Sequence, residues 1–201
     1  MNILVLTSSK DSFNSIRPEL EIYVSLAKAG HNITLMTQKE SAYSERFSKY
    51  NIKVIDTVFN KKISLSIVRL IRKTIKDKNI EIVYATNSRT ISNATLACIK
   101  TKVKLVTYRG TTGGLYRHDL SSYLNALNPR VNGVICVSQA VNNHVSKQVF
   151  SNNKKIITIY KGHDVSWYDQ NPVNLEEFNT NSNNLNVAFV ANVRPHKGLI
   201  Y

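Results

Sequence analysis

Five histidines, two cysteines and a short glycine cluster are the residues of this chain whose types could do chemistry. Imidazole can serve as acid, base or metal ligand, so the spacing of each histidine matters. His31 follows Gly30 and most simply packs or caps there, and His144 lies within an amphipathic segment. His118, in Tyr116-Arg117-His118-Asp119, fits a turn and a place beside a substrate equally well. His163 and Asp164 are adjacent, which suits a cleft or a hinge, and His196 reads as a loop residue. No pair has the spacing of a tetrahedral metal set, so no metal is expected. Cys98 and Cys136 sit inside apolar segments without a CxxC partner and read as small buried hydrophobes. Gly110-Thr111-Thr112-Gly113-Gly114 is not followed by Gly-Lys-Ser/Thr, which excludes an NTPase phosphate loop. The stretch Ser8 to Asn14 holds no glycine and cannot bring backbone amides against a pyrophosphate, which excludes a dinucleotide dehydrogenase.

The elements that must position these residues follow from periodicity. Short β-branched runs alternate with amphipathic segments, the pattern of a parallel sheet with crossover helices. Strands are expected at Asn2 to Thr7, Asn32 to Thr37, Lys53 to Asp56, Glu81 to Thr86, Lys104 to Tyr108, Gly133 to Val137 and Ile156 to Tyr160. Helices are expected with Pro18 in a first turn and Gly30 as the stop, then at Ser41 to Tyr50, Ser64 to Asp77, Ile91 to Lys100 and Ser138 to Phe150. In the first of these, Glu19 and Glu21 would complement the positive end of the dipole. The fold class is α/β: a doubly wound, mainly parallel, Rossmann-like sheet over 1–160, a linker over 161–184, and an orphan strand opening near Asn186 in 185–201. Ligands of such sheets bind beyond the carboxyl ends of the strands. The rim candidates are therefore Arg89, Arg109, Gly110, Thr111, His118 and Ser138, whose hydroxyls and guanidinium groups suit a polyhydroxyl or phosphate-bearing ligand. His163 and Asp164 fall at the expected domain junction.

Of the 201 residues, 42% are hydrophobic, enough for a real core. Lys and Arg number 27 against 13 Asp and Glu, leaving a net charge of +14 that favours anionic partners without choosing among them. Arg69, Arg72, Lys73 and Lys76 recur on one side of the expected Ser64 to Asp77 helix, with Leu65 among them. That side is either solvated or rests on an anionic membrane surface. Nucleic acid ranks below these because no aromatics interleave with the basic residues. No apolar run reaches the roughly 20 residues of a membrane span, and the start lacks the features of a signal peptide, so a cytoplasmic location, peripheral on the inner face of the membrane at most, is expected.

Several segments together resemble the family 4 glycosyltransferases, retaining enzymes of the two-domain GT-B type. They are Arg17-Pro18-Glu19-Leu20 through Gly30-His31, Thr34 to Thr37, Thr107 to Thr111, Val134 to Ser138, Lys161-Gly162-His163-Asp164, and Val187 to Gly198. The resemblance implies an acceptor-binding first domain and a donor domain that binds a nucleotide sugar, with no other cofactor. It places Lys197 on the family lysine and Asn192 on the family arginine, with Arg194 two residues on; Arg194 and Lys197 become the catalytic candidates, and Asn192 joins them in donor binding. Arg109 stands where the family has a histidine. An arginine cannot act as a base, so here it would clamp an acceptor phosphate or carboxylate. The implied activity is sugar transfer to a cell-surface polysaccharide, lipopolysaccharide or lipid-linked saccharide. The 201 residues are expected to be an inactive amino-terminal portion of such an enzyme. The competing readings are a non-catalytic binding module that uses its basic face, a nucleotide-sugar epimerase of the same fold, and a nucleic-acid-binding domain.

Overall fold

The computed structural model describes residues 1–8, 13–39, 43–150, 154–168, 174–178 and 184–187. The chain divides into two units, Met1–Gly162 and His163–Tyr201. The first holds β1 (Asn2–Leu6), α1 (Phe13–Lys28), β2 (Asn32–Thr37), α2 (Ser44–Lys49), β3 (Lys53–Asp56), α3 (Leu65–Asp77), β4 (Ile82–Ala85), α4 (Ser88–Ala97), β5 (Lys104–Arg109), a 3-10 turn (Leu120–Leu124), β6 (Gly133–Cys136), α5 (Gln139–Gln148) and β7 (Lys155–Thr158). All seven strands pair in parallel in the order β3-β2-β1-β4-β5-β6-β7. The order reverses at β1, where Leu4 is in register with Thr34 of β2 on one side and Val83 of β4 on the other. That reversal puts the crevice of the fold at the carboxyl ends of β1 and β4.

Alternate strand residues feed two cores, as the period of 2 requires. Ile3, Val5, Ile33 and Leu35 pack with Leu20, Tyr23 and Val24 of α1 and Phe47 of α2. Leu4, Leu6, Val83, Ala85 and Leu105 pack on the other face with Val68, Ile71 and Ile75 of α3, Ala94 of α4, and Val141 and Val145 of α5. Cys98 and Cys136 are both buried and unpaired with each other, and burial pushes the Cys98 thiol up to about 11.

Three helices stop on left-handed residues. Gly30 has φ of +85°, and the His31 N–H donates back to Leu26. Asn51 and Asn79, at +56° and +47°, do the same after α2 and α3, where Ile52 donates to Phe47 and Ile80 to Ile75.

Some boundaries differ from the sequence reading. α1 opens at Phe13, so Pro18 lies inside the helix and leaves the carbonyl four residues earlier without its usual donor. α4 opens at Ser88, three residues before Ile91, because Asn87 and Thr90 form a capping box: the Asn87 side chain accepts from the Arg89 and Thr90 N–H groups, and Thr90 Oγ1 accepts from the Asn87 N–H. β7 covers Lys155–Thr158 and stops two residues short of Tyr160. In the second unit two short 3-10 turns, Val165–Tyr168 and Leu175–Phe178, occupy the expected linker. Asn186 and Val187 belong to no strand, and the rest of the strand expected there lies outside the described residues. Among the described residues no helix is long and apolar enough to cross a membrane.

Candidate functional site

The crevice is stitched by hydroxyls that sequence reasoning did not single out. Thr86, just past β4, donates to Thr7 Oγ1, just past β1, at 3.0 Å. Thr7 in turn donates to Glu19 Oε1 of α1 at 2.7 Å, and Tyr23 donates to the same oxygen at 2.6 Å. The half-buried Glu19 carboxylate therefore ties both strand ends to α1, in place of the helix-dipole role its position suggested. Burial holds the Tyr23 phenol well above its ordinary range, with the Glu19 charge adding to the effect. Burial does the same at Tyr84, whose ring meets that of Tyr23 edge-on at 6.5 Å. Glu19, Tyr23, Tyr84 and Tyr108 border an apolar cavity of about 270 Å³ that runs from α1 over β4, β5 and β6.

Arg109 ends β5. Its guanidinium donates from Nε to the Thr111 carbonyl at 2.8 Å and from Nη2 to the Gly113 carbonyl, so it organises the loop that follows. Gly114 bends that loop at φ +72°, and Thr111 Oγ1 accepts from the Gly113 N–H. Half-burial of Arg109 lowers its pKa, yet an arginine keeps its charge in any case. At Gly110 a Cβ would sit tight against the Tyr108 ring, at 3.2 Å. Arg109, Gly110, Thr111 and the Thr7–Thr86 pair thus share one end of the sheet, as the sequence expectation placed the first three.

The remaining candidates have definite places. Arg89 is the second residue of α4, exposed on the same rim. Ser138 caps α5, its Oγ accepting from the Val141 N–H at 3.4 Å. His118 stacks on Tyr116 at 5.3 Å, and Tyr116 meets His144 edge-on. The neighbouring Arg117 reaches the Gln148 and Val149 carbonyls at the far end of α5. The segment carrying His118 therefore runs down α5, away from the loop at Gly110. In the second unit His163 meets Trp167 edge-on at 6.0 Å, and Asp164 accepts from the Ser166 N–H and hydroxyl. Asn192, Arg194 and Lys197 lie outside the described residues. Among the described residues no three His, Cys, Asp or Glu side chains converge as metal ligands would.

An all-parallel sheet that reverses at β1, with hydroxyls in the crevice at the reversal and arginines along the same rim, defines a Rossmann-like α/β domain. The fold matches a glycosyltransferase from Rickettsia africae ESF-5 with a TM-score of 0.64 and 21% identity, over 90% of this chain and 50% of that one. It also matches Anabaena Alr3699/HepE, solved in complex with UDP-glucose, with a TM-score of 0.61 and 16% identity over 86% of this chain and 47% of that one. The lipopolysaccharide outer core galactosyltransferase WaaB matches with a TM-score of 0.50 and 12% identity, over 80% and 45%. This chain thus spans about half the length of these structures. No curated protein sequence matches it significantly. The family model of Glycosyltransferase Family 4 matches residues 20–167, most of the chain, and the protein belongs to that family.

Proposed function

We propose that Met1–Gly162 is the acceptor-side domain of a sugar transferase whose donor is a nucleotide sugar and whose acceptor is a cell-surface polysaccharide, lipopolysaccharide or lipid-linked saccharide. The observation that carries this reading is the family match, which runs from α1 past β7 and so takes in six of the seven strands that form the rim. The UDP-glucose held by HepE supports a nucleotide sugar as donor, and the galactosyltransferase WaaB supports a surface-saccharide acceptor.

The chemistry of the rim agrees. A saccharide offers many hydroxyls, and Thr86, Thr111 and the carbonyl-rich loop around Arg109 offer partners for them. The always-charged Arg109 suits an acceptor that carries a phosphate or carboxylate. In the transfer itself the leaving nucleotide diphosphate gathers negative charge, which fixed cations lower in energy. We assign that task to Lys197 with Arg194, beside Asn192 on the donor side. No resident cofactor is needed, because the nucleotide sugar is itself the co-substrate.

On this reading residues 1–201 alone bind acceptor without turning over donor, since the matched structures are about twice as long. The test pairs two measurements on the purified chain: saccharide titration followed by amide shifts, and release of nucleotide from UDP-sugars. Shifts at Arg109 to Thr111 with no release are expected. Absence of any shift with a panel of neutral and phosphorylated saccharides would remove the acceptor-side reading, and release of nucleotide would remove the division of labour.

A further inference from the structure

The segment between β3 and α3 leaves apolar side chains in the open in a region rich in cations. Leu65, the first residue of α3, is 68% exposed, and Ile63 before it is 40% exposed. Leu120, opening the 3-10 turn beside α4, is 84% exposed. Lys61, Lys62, Arg69, Lys73 and Lys76 are all exposed on the same loop and the outer side of α3. Arg72 is different from its neighbours: its guanidinium donates to the Leu96 and Ala97 carbonyls and so closes the end of α4.

This surface is held in shape. Asn93, fully buried in α4, accepts from the Ser64 N–H at 2.9 Å and donates to the Lys61, Lys62 and Arg89 carbonyls. Asp119, directly before Leu120, has its carboxylate held low by the hydroxyl and N–H of Ser121, and the charge of Lys62 adds to that effect. α4 packs against the 3-10 turn and holds the loop through Asn93, so the two are neighbours and their apolar tips are presented by hydrogen-bonded backbone. Single exposed apolar residues are ordinary; Ile63, Leu65 and Leu120 together on clamped backbone among five cations are a different matter. A solvated cationic side explains the charges and leaves the apolar tips unexplained, and a nucleic acid would use the charges alone. An interfacial lipid surface uses both, since basic groups meet headgroup phosphates while apolar tips enter beneath them.

We propose that the Lys61–Leu65 loop, the outer side of α3 and Leu120 dock on an anionic lipid bilayer, with Ile63, Leu65 and Leu120 in the headgroup region and Lys61, Lys62, Arg69 and Lys73 against the lipid phosphates. The amino ends of α3 and α4 follow the carboxyl ends of β3 and β4, so this surface lies at the rim end of the fold, next to Arg89. Docking stands independently of the transferase reading; one corollary, that the acceptor is borne by the bilayer, rests on it.

Vesicle flotation of the 201-residue chain tests the docking without any sugar present, so its failure is distinct from a failure of acceptor binding. Binding to vesicles of phosphatidylcholine with 30 mol% phosphatidylglycerol is expected, falling at least tenfold on pure phosphatidylcholine and again in high salt. Each basic residue near the surface contributes roughly fivefold, so K61E/K62E/R69E should lose binding by about a hundredfold or more. The same charge change at the opposite end of the sheet, K100E/K102E/K104E, should cost far less. L65S/L120S leaves the charge untouched and should weaken binding at least tenfold, with an unchanged circular dichroism spectrum confirming the fold. Equal loss in the two charge-reversed variants, or full binding by L65S/L120S, would overturn the proposal. So would indifference to lipid charge, or tighter binding to a single-stranded oligonucleotide than to the vesicles.

Discussion

Replacing Glu19 by alanine removes the acceptor on which the β1–β4 crevice closes. The carboxylate takes hydrogen bonds from Thr7, 3% exposed, and Tyr23, fully buried. Hydrogen bonds to a charged group contribute about 1.5–3 kcal/mol each, and buried donors left without a partner carry a desolvation cost. Because Glu19 lines a cavity that water can enter in the variant, part of this is recovered, and a net loss of about 3 kcal/mol is expected. With a urea m-value of about 2 kcal/mol/M, the midpoint falls by about 1.5 M. Glu19→Gln keeps an acceptor without the charge and should lose about half as much. In a Tyr23→Phe background Glu19→Ala should again cost about half, because one of its two donors is already gone. Urea unfolding followed by circular dichroism reads the parent and all four variants. A midpoint for Glu19→Ala within about 0.25 M of the parent, or costs that simply add in the double variant, would refute the assignment of Glu19 as the tie.

Three further outcomes follow from other parts of the same sheet. Thr107 is fully buried in β5, and its Oγ1 has no hydrogen-bond partner among the described residues, so Thr107→Val should raise stability by about 1 kcal/mol in urea unfolding; a loss would mean the hydroxyl is satisfied. Arg130 donates to the carbonyls of Cys98, Thr101 and Val103 and to Asn132 Oδ1, a fork that lysine cannot reproduce, so Arg130→Lys should cost about 2 kcal/mol by the same assay, and parity with the parent would contradict it. Burial keeps Tyr23 and Tyr84 protonated in the folded state to higher pH than in the unfolded chain, whose phenols titrate near pH 10. Stability should therefore be insensitive to these two groups below about pH 10 and fall above it by about 1.4 kcal/mol per pH unit for each phenol. Tyr23→Phe and Tyr84→Phe should each flatten the alkaline slope of a pH series of urea midpoints, and an unchanged slope would contradict the burial argument.

The strands were the most legible part of the sequence, because each is a short β-branched run bounded by polar residues and pairing only with its neighbours' backbones. Gly30 as a helix stop was legible for the same local reason, and the structure adds Asn51 and Asn79 in that role. Asn87 carried a local signal too, since Asn-x-x-Thr is a capping pattern, but its place after a strand made it look like loop. Arg109, Gly110 and Thr111 could be placed at the rim because strand order and direction put every carboxyl end there. What Arg109 touches could not be placed, since its partners are carbonyls of a bent loop. The bond from Glu19 to Thr7 spans α1 to β1, and that from Arg72 to α4 joins two crossover helices. Such pairings depend on how helices lie over the sheet, which periodicity does not encode. The sequence put Glu19 near a helix start and Arg72 on a helix face, and packing gave them partners.

On the proposed function, saccharide acceptors bind at the carboxyl ends of β1, β4 and β5. Amide chemical-shift mapping of the 201-residue chain, titrated with a panel of oligosaccharides and short-chain lipid-linked saccharides, tests it most directly. Saturable shifts are expected at Thr7, Thr86, Arg89 and Arg109 to Thr111. Shifts confined to the opposite end of the sheet, at Asn2, His31, Asn32 and Asn79, would contradict it.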